Sequence, residues 1–474
     1  MKKYIPAGIL FLSTLAFTAC DDELSDINKN PNETENPQSA YLLTATQKHG
    51  ADIYWGDVAN YSSTLLFIQH WAAIQYTEAD CYNMSNSKFT DFWDECYATL
   101  MTNLNVISTA EGTNENYIAV ATIFRSWTFL ELTDCFGDIP YSEAGKSVVP
   151  KYDTQKDVLY GLDAELKEAA SSLNANAGAI EGDVMYDGNT EQWKRFANSL
   201  RLRIAVQLAD REPEKAQTII AEVKDNVMTS NKDIAQFVYT ESPQQNPIAK
   251  TFETRDDYRV SKTMVDRLKS LSDPRLPVYA QMPQDETITE YVGVPNGLTT
   301  TDANSLGFAK TSRPGTFFLE SKTPAVFMTY AEVLFNLSEA AARGFISGGN
   351  AVAESYYKQA ITASLQQFGI TNTTIINDYL NQASVTYDAS NFRKSIGIQK
   401  WIAFYGQGPD AFTEWRRLDY PELKAGPANV LEDKMPVRFF YPGTEQSLNG
   451  ASYTEAVQHQ GADLLITKLW FDMY

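Results

Sequence analysis

Histidine and cysteine are scarce in this sequence, with three histidines and four cysteines among 474 residues. Imidazole and thiolate groups supply many metal ligands, nucleophiles and general bases, so few such sites can be built. No H-E-x-x-H, C-x-x-C, G-x-S-x-G or P-loop motif occurs. Ser85 and Lys88 have S-x-x-K spacing, but the companion motifs of that chemistry are missing. The sequence therefore predicts no catalytic residues and no cofactor.

Positive charge is in the minority, because 39 lysines and arginines stand against 60 aspartates and glutamates, for a net charge of −21. A phosphate backbone or an anionic bilayer attracts clustered basic residues, and no such cluster occurs. Nucleic acid and electrostatic membrane docking are therefore excluded. Aromatic residues, by contrast, make up 12% of the chain. Acidity combined with many Tyr and Trp favours a neutral, hydroxylated ligand.

Long apolar runs are missing beyond the N-terminus, so no membrane-spanning helix is predicted. A short basic start and the apolar stretch 5–17 have the shape of an export signal. Residues 17–20, Phe-Thr-Ala-Cys, resemble the lipobox of a bacterial lipoprotein. We therefore expect a lipoprotein signal peptide over 1–19, a lipid anchor on Cys20 as the only membrane attachment, and a flexible tether over 20–37. The alternative is an ordinary cleaved signal with a chance cysteine.

Three cysteines remain if Cys20 carries the lipid, namely Cys81, Cys96 and Cys135. An odd number allows at most one disulfide within the chain, and the sequence does not distinguish the pairings. Their spacing matches no zinc motif. The acidity would suit calcium, but no D-x-D-x-D-G loop is present, so no metal site is predicted.

Helical periodicity dominates 38–231 and 324–420, whereas 232–323 and 421–474 are predicted to be loop-rich parts of one domain over 38–474. Apolar residues at helical spacing predict three buried faces in the first part. They comprise Val120, Ile123, Phe124, Trp127 and Leu130, then Val158, Leu162, Leu166 and Ala169, and finally Trp193, Phe196, Ala197, Leu200, Ile204 and Leu208. The first of these helices should stop at the Gly-Asp-Ile-Pro turn after Phe136, and Arg195, Arg201 and Arg203 lie off the third face.

The second helical part has the pattern of a helix pair. One apolar stripe runs from Phe327 to Ala341, a Gly348-Gly349 turn follows, and a second stripe runs from Val352 to Phe368. Two helices closed by a glycine turn over about 40 residues match the scale of a tetratricopeptide hairpin. The sequence therefore predicts tetratricopeptide-like helix pairs.

Aromatic residues between helical segments are the main candidates for ligand binding. Trp55 lies between two such segments, and Tyr76 and Tyr82 bound another connection. Sugar rings stack their C–H faces on such rings, so exposed ones would form a binding platform. The alternative is that the rings are core, as most aromatics at helical spacing are.

A second group of candidates lies in the loop-rich middle. Arg255, Asp256 and Tyr258 form a polar and aromatic cluster, and Tyr291 is a further possible platform among Gly and Pro residues. Arg and Asp side chains would hydrogen-bond the hydroxyl groups of a ligand. The alternative for this cluster is a structural ion pair.

Several motifs together resemble the SusD/RagB-type nutrient-binding outer-membrane lipoproteins of Bacteroidetes. They are the lipobox with the DINKNPN segment, FGDIPY at 136–141, WKRFANSLRLR at 193–203, QKW at 399–401, EWRRLDYP at 414–421, RFFYP at 438–442 and KLWFD at 468–472. The motifs cover essentially the whole mature chain in order. They are similar to scaffold residues of the family, so the resemblance carries over fold and role but no ligand contact.

The resemblance implies a mainly α fold in which tetratricopeptide-like helix pairs form a right-handed helical scaffold, beside an irregular loop-rich ligand-facing part. It also implies a cell-surface location in the outer membrane and a SusC-like TonB-dependent barrel as partner. The expected ligand is an oligosaccharide. Three alternatives stay open: peptide ligands in the same uptake role, a surface glycoside hydrolase, and a scaffold that binds only partner proteins.

Overall fold

Residues 38–110 and 112–474 are described by the computed structural model of the chain. The expected signal peptide over 1–19, the lipid site Cys20 and the tether over 20–37 lie outside the described residues. Within the described part, no helix has the length and apolar character needed to cross a bilayer. Helices provide most of the regular structure, so the prediction of a mainly α fold is confirmed.

The longer helices lie on either side of a middle region that contains only short ones. The first part holds α1 (Ser39–Tyr54), α2 (Leu65–Phe67), α3 (Thr90–Asp94), α4 (Thr102–Thr109), α5 (Glu115–Phe136), α6 (Gln155–Ser172), α7 (Thr190–Leu208) and α8 (Pro213–Val223). The middle holds α9 (Pro247–Phe252), α10 (Lys262–Ser270), α11 (Leu276–Tyr279), α12 (Thr300–Ser305) and α13 (Thr316–Leu319). The last part holds α14 (Tyr330–Ala342), α15 (Gly349–Gln367), α16 (Thr373–Leu380), α17 (Phe392–Ala403), α18 (Gly408–Leu418), α19 (Gly443–Leu448) and α20 (Gly450–Gln460). Two π-helical segments, Asp57–Thr64 and Glu95–Met101, add to the first part.

Helix boundaries follow local capping chemistry. Asn114, Thr154 and Asn189 precede α5, α6 and α7, and their side-chain oxygens accept hydrogen bonds from backbone N–H groups of the first turn. Gly137 follows α5 with φ of 87°, a conformation that residues with a Cβ rarely adopt. The predicted stop after Phe136 is therefore confirmed.

The long helices pack in sequence as helix pairs. Helix α5 packs on α6, α6 on α7 and α7 on α8, while α14 packs on α15 and α17 on α18. All three predicted apolar faces are buried in the core between them. One boundary was predicted too early, because Phe327 belongs to a strand and α14 begins at Tyr330. Thr329 caps that helix by accepting from the backbone N–H of Glu332.

Two small antiparallel sheets join the middle region to the parts of the chain before and after it. Strand β1 (Trp71–Ala73) pairs with β3 (Tyr258–Val260), so that Ala73 lies opposite Tyr258. Strand β2 (Ala235–Phe237) pairs with β4 (Ala325–Met328). In an antiparallel pair the chain leaving one strand lies beside the chain entering the other. The residues after Ala73 therefore lie next to those before Tyr258.

The C-terminal region contains more helix than its sequence pattern indicates. Residues 421–474 were predicted to be loop-rich, yet α19 and α20 lie within them. In α20 only Ala456 is buried. A helix without an apolar stripe has no periodic signal from which it could be predicted.

Charged side chains also enter the core. Arg201 and Arg203 lie off the apolar face of α7, but both are buried. The guanidinium of Arg203 pairs with Glu332 at 2.7 Å, Asp410 at 2.9 Å and Glu131 at 3.1 Å. These acids come from other helices, so no pattern within α7 could indicate the partners.

The three cysteines of the described region are free thiols, and each is buried. Burial raises the pKa of the Cys96 and Cys135 thiols well above its usual range. The disulfide that the sequence left open therefore does not form among Cys81, Cys96 and Cys135.

Candidate functional site

The pairing of β1 with β3 creates a cleft of about 590 Å³ beside the two strands. We call it the Tyr76 cleft. The segment after β1 supplies one wall, and the segment between α9 and β3 supplies the wall opposite. Its polar and aromatic lining consists of Asp57, Tyr61, Ser62, Tyr76, Glu78, Asn83, Ser85, Ser87, Lys88, Thr251, Arg255, Asp257 and Tyr258.

Tyr76 is the most accessible aromatic ring in the cleft. Its side chain is 63% exposed, and its backbone has φ of 54°, which is unusual for a residue with a Cβ. The guanidinium carbon of Arg255 lies 5.1 Å from the ring centroid, within cation–π range. Arg255 Nε in turn donates to Asp257 Oδ2 at 2.5 Å, and Gln75 Nε2 donates to the other oxygen. The Asp257 carboxylate therefore holds Arg255 against Tyr76.

Two further tyrosines line the same cleft. The rings of Tyr61 and Tyr258 meet edge to face with centroids 5.7 Å apart. Tyr61 also shares a hydrogen bond of 2.8 Å with Thr251 Oγ1. Burial, and then the charge of Asp57, raise the pKa of Tyr61 to about 12 and that of Tyr258 well above its usual value. Both phenols therefore stay protonated at neutral pH and keep their donor hydrogens.

The rest of the lining mixes hydroxyl, amide and charged groups. Lys88 Nζ donates to Ser62 Oγ at 2.6 Å, while Ser85 and Ser87 share a hydrogen bond of 2.7 Å. The S-x-x-K pair therefore does not form a hydrogen-bonded nucleophile and base. Carboxylates and cations both line the cleft, so its charges of opposite sign largely offset each other. Such a surface suits a ligand rich in hydroxyl groups.

Three of the predicted site residues, Tyr76, Arg255 and Tyr258, come together in this cleft. Asp256 does not line it. Its carboxylate forms ion pairs with Arg259 at 2.8 Å and with Arg313 at 2.9 Å, so this residue takes the structural alternative.

The other predicted platforms lie elsewhere. Trp55 and Tyr82 belong to the core, with 2% and 1% of their surface exposed, so neither offers a ring face in the Tyr76 cleft. Trp55 Nε1 donates to the Val326 carbonyl at 3.3 Å, and the Tyr82 hydroxyl donates to Met435 Sδ at 3.1 Å. Tyr291 is half-buried against the core and does not line the cleft.

Sequence reasoning missed several cleft residues. Tyr61 lies in a π-helical segment and is nearly buried, and Asp57 begins the same segment. Asn83, Ser87 and Lys88 follow the connection between Tyr76 and Tyr82, and none of the three was predicted to bind a ligand. Their polar, unperiodic pattern is common to most loops, so only the fold distinguishes them.

Carboxyl groups with strongly raised pKa values lie in the core rather than in the cleft. Burial raises the pKa of Asp80, Asp134 and Asp410 to about 7. The described residues that line the Tyr76 cleft include none of these three carboxyl groups. Their altered acidity is therefore a property of the packed interior.

Comparison with known proteins places this geometry in a family context. A SusD-like family model, described as starch-binding and associating with the outer membrane, matches residues 31–442. A chitin-binding protein superposes with a TM-score of 0.84 at 28% identity, over 92% of this chain and 100% of its own. A SusD-like protein of Bacteroidetes AC2a reaches 0.82 at 26%, and a SusD homologue of Bacteroides uniformis reaches 0.80 at 25%, with the same coverage. No curated protein matches this sequence significantly. The predicted tetratricopeptide-like scaffold and the resemblance are thus confirmed.

Proposed function

The chain belongs to the SusD-like family, and we propose that it binds a nutrient oligosaccharide in the Tyr76 cleft without chemical conversion. The observation that carries this proposal is the exposed Tyr76 ring, which Arg255 and Asp257 hold beside a surface of hydroxyl, amide and charged groups. The ring supplies a stacking surface for the C–H face of a sugar. The polar groups supply partners for its hydroxyls.

Stacking on Tyr76 gives a definite contribution to affinity. Covering about 60 Å² of the exposed ring at roughly 25 cal/mol per Å² contributes about 1.5 kcal/mol. That free energy corresponds to about a tenfold change in the dissociation constant. The related chitin-binding protein and the family description support a glycan as the ligand class.

The proposed role extends to uptake. We infer a signal peptide over 1–19, a lipid on Cys20 and a tether over 20–37, which would attach the protein to the outer membrane with its binding face at the cell surface. A SusC-like TonB-dependent barrel would receive the ligand. The family's association with the outer membrane supports this arrangement.

Affinity electrophoresis tests the binding step. The chain from Asp21 to Tyr474 migrates through gels cast with starch, soluble chitin derivatives, xylan or pectin. We expect one glycan to retard it, and Tyr76→Ala to raise the dissociation constant for that glycan about tenfold. Tyr41→Ala is the matched control, because Tyr41 is 72% exposed on α1 and does not line the cleft. Equal retardation of wild type and Tyr76→Ala would contradict the site.

Peptides are the second candidate ligand, because the cleft carries charges of both signs at Asp57, Glu78, Lys88 and Arg255. Calorimetry with a protein digest distinguishes the two classes. Heat released on mixing with peptides, together with no retardation by any glycan, would indicate that the ligand is a peptide and that the uptake role is the same. Release of reducing sugar from a retarding glycan would instead indicate a hydrolase.

A further inference from the structure

Three exposed apolar side chains lie together at one corner of the molecule. Val148 is 98% exposed, Val149 55% and Leu448 73%. The two segments that carry them are joined, because Asn449 Nδ2 donates to the Pro150 carbonyl at 2.8 Å. We call Val148, Val149 and Leu448 the Val148 tip. Single apolar residues are ordinary on a protein surface, whereas adjacent ones mark a surface that another body covers.

Local hydrogen bonds hold the loop with the two valines in a closed turn. The Glu143 carbonyl accepts from the backbone N–H groups of Lys146 at 3.0 Å and Ser147 at 3.2 Å. The Glu143 carboxylate accepts from the Lys151 N–H at 3.1 Å, and Ser147 Oγ accepts from the Val149 N–H at 3.2 Å. Polar groups of the turn therefore fix its shape, and the apolar side chains need little further ordering when they are covered.

The charges around the tip suit a lipid surface. Residues 146–151 read Lys-Ser-Val-Val-Pro-Lys, so a lysine stands on each side of the valines. Lys146 is exposed, and the Lys151 side chain is 57% exposed although it pairs with Asp153 at 3.3 Å. The neighbouring carboxylates of Glu143 and Asp153 are engaged by backbone N–H groups of the same turn. Lysine stems can follow the apolar residues into the lipid while their ammonium groups stay among anionic headgroups.

A second copy of the chain or a protein partner suits the tip less well. The net charge of −21 makes two copies repel each other. Protein interfaces draw most of their binding energy from Trp, Tyr and Arg, and the tip consists of two valines and a leucine. A bilayer requires only apolar surface and no complementary shape.

The part of the chain that precedes the described residues would bring a bilayer within reach. The contact depends on the lipid at Cys20 and the tether over 20–37 that belong to the proposed function. About 18 residues span at most roughly 60 Å when extended. Such a tether limits the distance from the membrane but does not decide which face of the body meets it. A second contact is needed to set the orientation.

The tip lies about one short helix away from the rim of the cleft. A Cβ on Gly443, the first residue of α19, would lie 3.3 Å from Asn86 Nδ2. The neighbours of Asn86 in the chain, Ser85 and Ser87, line the cleft. Leu448 is the last residue of the same helix. A contact at the tip would therefore hold the cleft near the membrane surface.

We propose that the Val148 tip inserts into the lipid surface of the membrane and orients the tethered protein there. Its three side chains would enter the boundary between headgroups and acyl chains, with Lys146 and Lys151 at headgroup level. Apolar burial drives this contact, so it differs from docking through a basic cluster, which the sequence lacks. It adds a second membrane contact to the one expected at Cys20.

Site-directed fluorescence on tethered protein tests the proposal. The chain from Asp21 to Tyr474 carries an N-terminal histidine tag, which binds a nickel-chelating lipid in vesicles of phosphatidylethanolamine and phosphatidylglycerol. Val148→Cys takes a thiol-reactive nitrobenzoxadiazole label, because the three native thiols of the described chain are buried. We expect the emission to shift to shorter wavelength on the vesicles and to be quenched by spin-labelled acyl chains.

Val238→Cys is the matched control, since Val238 is 53% exposed after β2 and does not belong to the tip. Its label should not shift, whereas a label on Leu448→Cys should behave like that at position 148. Val148→Asp combined with Val149→Asp should lower the membrane partition of the Leu448 label at least about tenfold, because burial of one valine is worth roughly that factor. The melting temperature should stay that of wild type, since both valines are exposed.

Four results would overturn the proposal. An unchanged label at position 148 on vesicles would make a protein partner the occupant. A shift that grows with protein concentration without vesicles would show that a second copy covers the tip. Equal shifts at positions 148 and 238, or full partition of the double aspartate variant, would show adsorption that does not use the tip. The tag supplies the tether and the glycan gels contain no vesicles, so failure of the proposed lipid at Cys20 or of glycan binding would leave this test unaffected.

Discussion

Replacing Arg417 by methionine removes the centre of a buried ion-pair network. The guanidinium donates to Glu339 at 2.6 Å through both terminal nitrogens and to Glu414 Oε2 at 2.6 Å. After the change, Glu339 still contacts Arg343 at 2.8 Å and Glu414 still contacts Lys400 at 2.5 Å. Each carboxylate therefore loses one of two cations, and both remain buried.

The magnitude follows from the acidity of Glu414. Burial alone would raise its pKa, but Arg417 and then Lys400 lower it to about 2 from an ordinary 4.5. That difference corresponds to about 3 kcal/mol of stability at neutral pH. Breaking a buried pair from one side costs about 3 to 5 kcal/mol. Because Lys400 stays in place, we expect Arg417→Met to lower the free energy of unfolding by about 3 kcal/mol.

The pH dependence gives a second, independent readout. A carboxyl whose folded pKa is lowered stabilises the protein above its unfolded pKa, and this stabilisation is lost as the pH falls from about 4.5 to 2. In Arg417→Met only Lys400 is left to oppose the effect of burial, so the pKa of Glu414 rises. The stabilisation that wild type loses in this acid range should therefore be smaller in the variant.

Urea unfolding, followed by circular dichroism and tryptophan fluorescence at several pH values from 7 to 3, measures both effects. Arg267→Met is the matched control, since it removes a guanidinium from a partly exposed position of α10. A loss below about 1 kcal/mol at pH 7, together with the same acid dependence as wild type, would refute the reasoning. It would mean that desolvation of the ions offsets their attraction.

Three further predictions concern the core and the turns. Burial raises the folded pKa of Asp80 to about 7, so wild type loses stability as the pH rises from about 4 to 7. Asp80→Asn should reduce this loss. An unchanged dependence of the free energy of unfolding on pH, measured by urea unfolding, would contradict this. Gly137→Ala should cost about 1 to 3 kcal/mol, since φ is 87° and the new Cβ would collide with the Gln460 side chain. Gly450→Ala, where nothing lies within 4 Å of that position, should unfold thermally at or above the wild-type temperature, and equal losses in both variants would exclude strain as the cause. Trp55→Ala should lower the free energy of unfolding by about 3 to 5 kcal/mol, because it removes a buried ring. Tyr82→Phe should lower it by less than about 1 kcal/mol, because it removes only a hydroxyl that donates a hydrogen bond to the Met435 sulfur. Calorimetric melting compares the two variants, and a Trp55→Ala protein as stable as wild type would show that this ring is not part of the core.

Much of the helical scaffold could be predicted from local sequence. The faces that contain Trp127 and Trp193 repeat with the period of a helix, and every predicted member is buried. The stop after Phe136 follows from a glycine that alone tolerates its φ. The local pattern fails at the start of α14. Phe327 continues the apolar stripe of that helix but lies in β4, and the stripe does not show the boundary because the strand and the helix bury their side chains in the same core.

The candidate site depended on contacts that no local pattern contains. Gln75 and Asp257 meet although they lie 182 positions apart, and the β1–β3 pairing alone brings Tyr76 beside Arg255. The same local composition surrounds Tyr82, which is buried instead. Whether an aromatic residue between helices packs or binds is decided by the elements that cover it. Those elements come from distant parts of the chain.

The sequence by itself determined the helical periods, their caps and the ordered motifs from which the SusD-like family is recognised, because these depend on residues within one turn or one short segment of each other. Tertiary structure alone decided which charged side chains are internal. Arg203 and Arg417 carry the same local signals as surface arginines, yet both are buried and each pairs with an acid from another helix, Glu332 and Glu339 respectively. Tertiary structure also decided which aromatic rings stay exposed. Burial and charge pairing depend on what packs against a residue, and that information is distributed over the whole fold.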